Sequence, residues 1–264
     1  MESRMATATA STLRGAEGFW GKPTATIDWC EPNYQHTFYI AEFWNTLSNL
    51  LFVILGLYGL SRSIKEGFEW RFHAQFIAVM ITGLGSAMFH GTLQLVHQQC
   101  DETPMVWAML YSLRIRIYIV YNNEIQNAGI PDAVVIPFLT FVGVAFAIVH
   151  AVYRFTTLFQ QFLVLWLCSA ASVFARSYVQ TSLIGFAAWL VDYHLCQHVS
   201  QWPINPQGHA WWHIFMGIAS YHGPVFMQYV RLEQLNKKPL VIGSGFGVET
   251  ITVQVRGVIK AKNL

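Results

Sequence analysis

His209-Ala-Trp-Trp-His213 opens the last apolar run of the chain, which continues through Ile218 to about Val230. Read as a helix, the spacing of four residues sets both imidazoles on one face, roughly 6 Å apart, as two ligands of one metal ion require. Such a pair asks for a third ligand. His90 is the candidate, at the end of a second apolar stretch and one helical turn after a hydroxyl in Ser86-Ala-Met-Phe-His90. The pattern predicts three histidines from two membrane helices holding zinc, with Ser86 and Asp101 completing a hydrolytic site.

The composition supports a membrane setting: 54% of the 264 residues are hydrophobic, 15% aromatic and 11% charged, against roughly 25% charged in soluble domains. A net charge of +2 with no Lys/Arg block gives no footprint for nucleic acid. Lipids are the expected partners. Cys30, Cys100, Cys168 and Cys196 show no CxxC spacing, so any metal relies on histidine. The first residues lack the apolar core of a cleaved signal peptide, which leaves insertion to the first spanning helix.

Residues 1–18 are small and polar and read as disordered. Spanning segments of about 20 residues are expected at Glu42 to Ser61, His73 to Leu93, Pro104 to Tyr121, Ala133 to Tyr153, Thr157 to Val179, Leu183 to Cys196 and His209 to Val230. The sixth is short, and the third carries Arg114 and Arg116, which would snorkel to one interface. The chain is therefore read as an all-α membrane protein, a seven-helix bundle over 42–231, followed by a cytosolic tail, 232–264. Within that tail the residues from Val241 alternate weakly like a strand. Arg62, Lys65, Arg71, Arg176, Arg231, Lys237 and Lys238 fall on one side of the threading. The positive-inside tendency then puts the C-terminus in the cytosol and the N-terminus in a lumen or outside.

That threading brings the end of the second span, with His90, to the same face as the start of the seventh and as Asp101. Catalytic zinc takes three protein ligands and keeps one position open. Water activated by the metal is then a better nucleophile than Ser86. Ser86 would stabilise the oxyanion and Asp101 would move the proton to the leaving amine. Asp101 also reads as a helix N-cap in Cys100-Asp-Glu-Thr-Pro104. His73, His97, His150, His198 and His222 read as interfacial polarity. Asp192 reads either as a partner of a zinc histidine or as an end cap.

Residues 19–41 form an acidic, aromatic segment, with Asp28-Trp29-Cys30-Glu31-Pro32-Asn33 at its centre. It reads either as a capped turn with Trp20, Trp29, Tyr34 and Tyr39 in an aromatic belt or as a site for a hard cation. Oxygen donors of this kind suit Ca²⁺, although the spacing is not an EF-hand. In the first span Glu42, Asn45 and Ser48 or Asn49 recur at helical spacing, a polar stripe that faces the interior, from which Glu42 reaches back toward this segment.

Together these stretches resemble the alkaline ceramidase family, one of the adiponectin-receptor-like heptahelical hydrolases. The likeness runs from about Gly18 to Arg231 through Trp20-Gly21, Asp28-Trp29-Cys30-Glu31-x-Asn33, Ala41-Glu42-Phe43-Trp44-Asn45-Thr46-x-Ser48-Asn49, Gly85-Ser86 with His90, Asp101-Glu102-x-Pro104-Met105 and His209-Ala-Trp-Trp-His213. Arg114, Arg116 and the residues from Val241 follow nothing in that pattern. The resemblance implies seven spans, zinc on His90, His209 and His213, and catalytic roles for Ser86 and Asp101. It also implies calcium held by Asp28, the Trp29 main chain, Glu31, Asn33 and Glu42, and a disulfide between Cys30 and Cys196. The expected activity is hydrolysis of ceramide or phytoceramide to a sphingoid base and a fatty acid, in the endoplasmic reticulum or Golgi. The competing expectations are a hydrolase of another N-acyl lipid and a heptahelical lipid receptor with structural zinc.

Overall fold

The computed structural model describes residues 16–124, 132–155, 176–237 and 239. Its helices are α1 (Phe43–Ser48), α2 (Leu50–Lys65), α3 (Trp70–Thr92), α4 (Leu95–Glu124), α5 (Asp132–Tyr153), α6 (Arg176–Val199) and α7 (Gly208–Gln234). Asn49 joins α1 to α2 in helical conformation, so the two run as one body, Phe43–Lys65. Six bodies of spanning length are thereby described. The expected fifth span, Thr157 to Val179, lies outside the described residues up to position 175, and its last residues belong to α6. The expected disordered N-terminus up to position 15 and the weak strand pattern from Val241 also lie outside them.

Three helices, Phe43–Lys65, Trp70–Thr92 and Ala133–Tyr153, are long and apolar enough to cross a membrane. α5 packs on α4 and turns Val134, Ile136, Phe138, Phe141, Ile148 and Val152 outward. A soluble protein rarely exposes so continuous an apolar face, whereas lipid accepts it without cost. Such helices and such a face suggest a membrane protein. α3 occupies the centre, against α1, α2, α4 and α7, and α7 in turn packs on α6, α2, α1 and α4. The two helices that carry the histidines are therefore the most enclosed ones.

α4 starts at Leu95 rather than Pro104. The extra turns are anchored by the N-terminal segment: Leu95 N–H donates to Thr24 Oγ1 at 2.9 Å, and Gln98 Oε1 accepts the Thr26 N–H at 2.8 Å. Asp101 is consequently inside the helix and is not its N-cap. Pro104 has no N–H for the Cys100 carbonyl four residues earlier. That carbonyl leans to α3, where it occupies the space a Cβ on Gly85 would need. Only glycine allows this approach, and the approach places Ser86 opposite Asp101.

Candidate metal and hydrolytic site

Each histidine is positioned by a helix end. α3 stops at Leu93, in the left-handed region at φ 50°, just after His90. The chain entering α1 crosses that end: Ala41 N–H donates to Gly91 O and Glu42 N–H to His90 O, both at 2.9 Å. These bonds satisfy carbonyls that the end of a helix leaves open. α7 begins at Gly208, where an added Cβ would stand only 2.7 Å from the Ala188 carbonyl oxygen on α6, so glycine permits the close packing of the two helices. Asp192 Oδ1 then accepts the His209 N–H at 3.1 Å, capping α7 from the neighbouring helix. Its other oxygen accepts the Cys30 N–H at 3.0 Å. One turn further along α6, Cys196 is disulfide-bonded to Cys30, with Cα atoms 5.4 Å apart. Of the two uses left open for Asp192, the structure shows the cap, though of α7 rather than of its own helix, and through it Asp192 holds the His209 main chain.

The three imidazoles meet. Ligand atoms of His90, His209 and His213 all lie within 4.8 Å of one another, and all three residues are buried. Among the described residues no other group of His, Cys, Asp and Glu meets that spacing. His90 Nδ1 bonds Glu42 Oε2 at 2.5 Å. His213 Nδ1 lies 2.9 Å from Ser48 Oγ, 3.1 Å from Asn45 O and 3.2 Å from Asn49 Nδ2. The polar stripe of the first span thus orients two rings. His209 stacks on Trp29 with ring centroids 3.5 Å apart. His90 Nε2 and His209 Nδ1 are buried with no hydrogen-bond partner. His90, with Glu42 on one ring nitrogen and the other bare, has the arrangement that metal ligation uses. The residues present fit a divalent ion such as zinc.

Below the histidines an apolar cavity runs down the bundle. His209, His213, Ser86, Asp101, Asn49 and Thr82 are among the polar groups that line it. Ser86 is a hydrogen-bonding neighbour of the Asp101 carboxyl, and both are buried. A buried carboxyl, a hydroxyl and two imidazoles line one apolar cavity, with the third imidazole, His90, beside the other two, and together they form a site for polar chemistry.

In the N-terminal segment Glu31, Asn33 and Glu42 are fully buried, and Asp28 is exposed beside them. Glu31 caps α1 from a distance, accepting the Trp44 and Asn45 N–H groups at 2.8 and 2.9 Å. Asn33 Nδ2 donates to Asp28 Oδ1 at 3.2 Å, while its buried Oδ1 has no partner. Burial, helped by nearby Glu42 and opposed by the N–H donors, pushes the Glu31 carboxyl up to about 7. Oxygen-rich and short of positive charge, this segment has the chemistry of a hard-cation site. Trp29 does not belong to an aromatic belt: it is buried against His209, whereas Trp20 and Tyr39 are exposed.

Sequence reasoning missed one further buried pair. His150 is fully enclosed rather than interfacial, and it bonds Glu102, which lines the cavity beside Asp101. Gln98 Nε2 donates to the other Glu102 oxygen at 2.9 Å. His222 is buried as well. Glu102 and His150 stand 48 positions apart, a separation at which no helical spacing signals a partner.

Residues 21–247 match the Ceramidase family model. An alkaline ceramidase of Arabidopsis thaliana is 41% identical over 242 residues, which cover 86% of this chain and 92% of the relative. Mouse alkaline ceramidase 3 is 30% identical over 246 residues, covering 85% and 91%. An alkaline ceramidase of Saccharomyces cerevisiae is 31% identical over 255 residues, covering 83% and 80%. Matches of this extent take in the histidine trio, the acidic segment and the bundle between them, and the chain belongs to the alkaline ceramidase family.

Proposed function

We propose that the protein is an intramembrane zinc-dependent amidase that hydrolyses the N-acyl bond of ceramide, releasing a sphingoid base and a fatty acid. The observation that carries this reading is the convergence of three buried histidines, two with bare ring nitrogens, at the head of an apolar cavity. His90, His209 and His213 would hold the ion, which when bound supplies a lowered pKa for water and an electrophile for the amide carbonyl. The apolar walls receive the alkyl chains and exclude bulk water. Asp101 accepts the proton of the attacking water and returns it to the nitrogen as the C–N bond breaks. Ser86 donates to the carbonyl oxygen as negative charge develops there.

The histidine end faces the lumen of the endoplasmic reticulum or Golgi and the C-terminus the cytosol. Two observations support that orientation. The Cys30–Cys196 disulfide at the histidine end suits an oxidising compartment. Arg62, Lys65, Arg71 and Arg231 all sit at the opposite ends of α2, α3 and α7.

The purified protein in detergent is expected to carry one zinc per chain and to release fatty acid from ceramide. Zinc retained without fatty acid release from any ceramide would favour a lipid receptor instead. Release from other N-acyl lipids alone would move the substrate class.

Calcium is proposed on Asp28, the Trp29 main chain, Glu31, Asn33 and Glu42, with a packing role: it neutralises buried carboxylates at the junction of the N-terminal segment and α1. Calcium chelation should lower the melting temperature and the turnover together, and added calcium, but not zinc, should restore both. Unchanged melting and turnover in excess chelator would remove calcium from the account.

A further inference from the structure

Among the polar groups on the cavity wall to which the hydrolytic roles above give no task, Thr82 lies nearest Ser86 along α3. Thr82 lies on α3 exactly one helical repeat of four residues before Ser86 and two before His90, so the three share a face. It is buried, it lines the cavity, and its hydroxyl has no hydrogen-bond partner. A threonine inside a helix ordinarily returns its hydroxyl to a carbonyl of the preceding turn. Here that bond is absent, and an unmet buried hydroxyl costs free energy unless something supplies a partner. Asn49 adds a second such group: it also lines the cavity, and its buried Oδ1 is unpartnered. Its carbonyl lies 3.1 Å from where a Cβ on Gly83, the residue after Thr82, would stand, so the main chain of Asn49 borders α3 at this depth. Two unsatisfied polar groups on the wall of a mostly apolar channel point to a ligand that brings a polar atom there.

The distance decides which atom. With the amide carbonyl at Ser86, Thr82 is one turn deeper, about 6 Å along the same face. A hydroxyl on the first or second chain carbon beyond the nitrogen-bearing carbon, on the side of the long alkyl chain, falls within that reach. The remaining unpartnered cavity acceptor on α3, Gln75 Oε1, lies about 10 Å further down, seven residues at the helical rise. It is too deep for the same group. We infer that Thr82 reads a hydroxyl of the sphingoid base, at C3 or C4, and so makes the site select N-acyl amides of hydroxylated long-chain bases over plain N-alkyl amides. This rests on the amidase reading and deepens it.

The test uses three amides with one acyl chain, whose bases carry hydroxyls at C1 only, at C1 and C3, or at C1, C3 and C4. Wild-type protein should show kcat/KM about tenfold higher for the substrate carrying the hydroxyl that Thr82 reads, the size of one hydrogen bond. Thr82→Val, of similar volume, should lose that preference while keeping its rate on the substrate without the hydroxyl, and Thr82→Ser should restore it. The pair of substrates that shows the loss identifies C3 or C4. Wild-type protein indifferent to both hydroxyls overturns the inference without reference to any variant. Equal losses by Thr82→Val on all three amides also overturn it, since a packing role acts regardless of substrate. Wild-type protein inert on all three overturns the amidase reading itself, and that lane alone tells the two failures apart.

Discussion

His213→Ala protein should fold and should lose ceramide turnover about a thousand-fold, with its zinc content falling well below one per chain. The size follows from what the ion contributes: several kcal/mol of transition-state stabilisation, where each 1.4 kcal/mol is about tenfold in rate. The fold should survive because His213 is held by the first turns of α1 and α2 rather than by core packing. Its Nδ1 faces Ser48, Asn45 O and Asn49 within 3.2 Å, and these groups are near enough to the cavity for water to replace the ring. His90 and His209 would remain with ring centroids 4.9 Å apart, a pair that still meets but does not fix a tetrahedral ion. Metal analysis of the purified variant beside a fatty-acid release assay checks this. Full turnover by the alanine variant would refute metal-dependent hydrolysis, whatever the zinc content.

Much of this site could be read from the sequence because its ligands follow local rules. His209 and His213 share a helical face by spacing alone, as do Ser86 and His90, and back-and-forth threading then brings the two faces to one end. The stripe of Glu42, Asn45, Ser48 and Asn49 was legible for the same reason. What could not be read is pairing across long separations. Glu31 and Asp192 are helix caps, yet Glu31 caps α1 from a non-helical segment and Asp192 caps α7 from α6, and Asp192 reaches Cys30 across 162 positions. Capping signals in sequence are local, so a carboxylate supplied from elsewhere leaves no trace. The start of α4 was placed late because Asp101 and Pro104 imitate a helix beginning. Contacts of Leu95 with Thr24 and of Gln98 with Thr26 carry the helix further back. Trp29 was legible only as an aromatic near a membrane face; its stacking on His209 depends on the disulfide and cap that draw residue 30 against α6.

Glu42→Gln should weaken both metal sites at once, which distinguishes Glu42 from every other residue at this end. One carboxylate oxygen bonds His90 Nδ1 at 2.5 Å and accepts from Asn45 Nδ2 at 3.1 Å, while the other accepts the Trp29 N–H at 3.1 Å. The first contact fixes the His90 ring and raises its basicity toward an ion on the opposite nitrogen, and losing such a partner costs about 10–100-fold in metal affinity or activity. The second holds the loop whose main chain and side chains are proposed to bind calcium. A glutamine keeps the volume but removes the charge from a fully buried position, and it presents either an amide nitrogen or a neutral oxygen to the imidazole. Turnover should therefore drop within that range, zinc should leave at lower chelator concentration, and the melting temperature should stop responding to calcium. Asn33→Ala isolates one half of the effect: the calcium response should go while zinc retention stays. If Glu42→Gln protein keeps wild-type zinc retention and loses only its calcium response, the carboxylate serves the acidic segment alone and its bond to His90 carries no weight in metal binding.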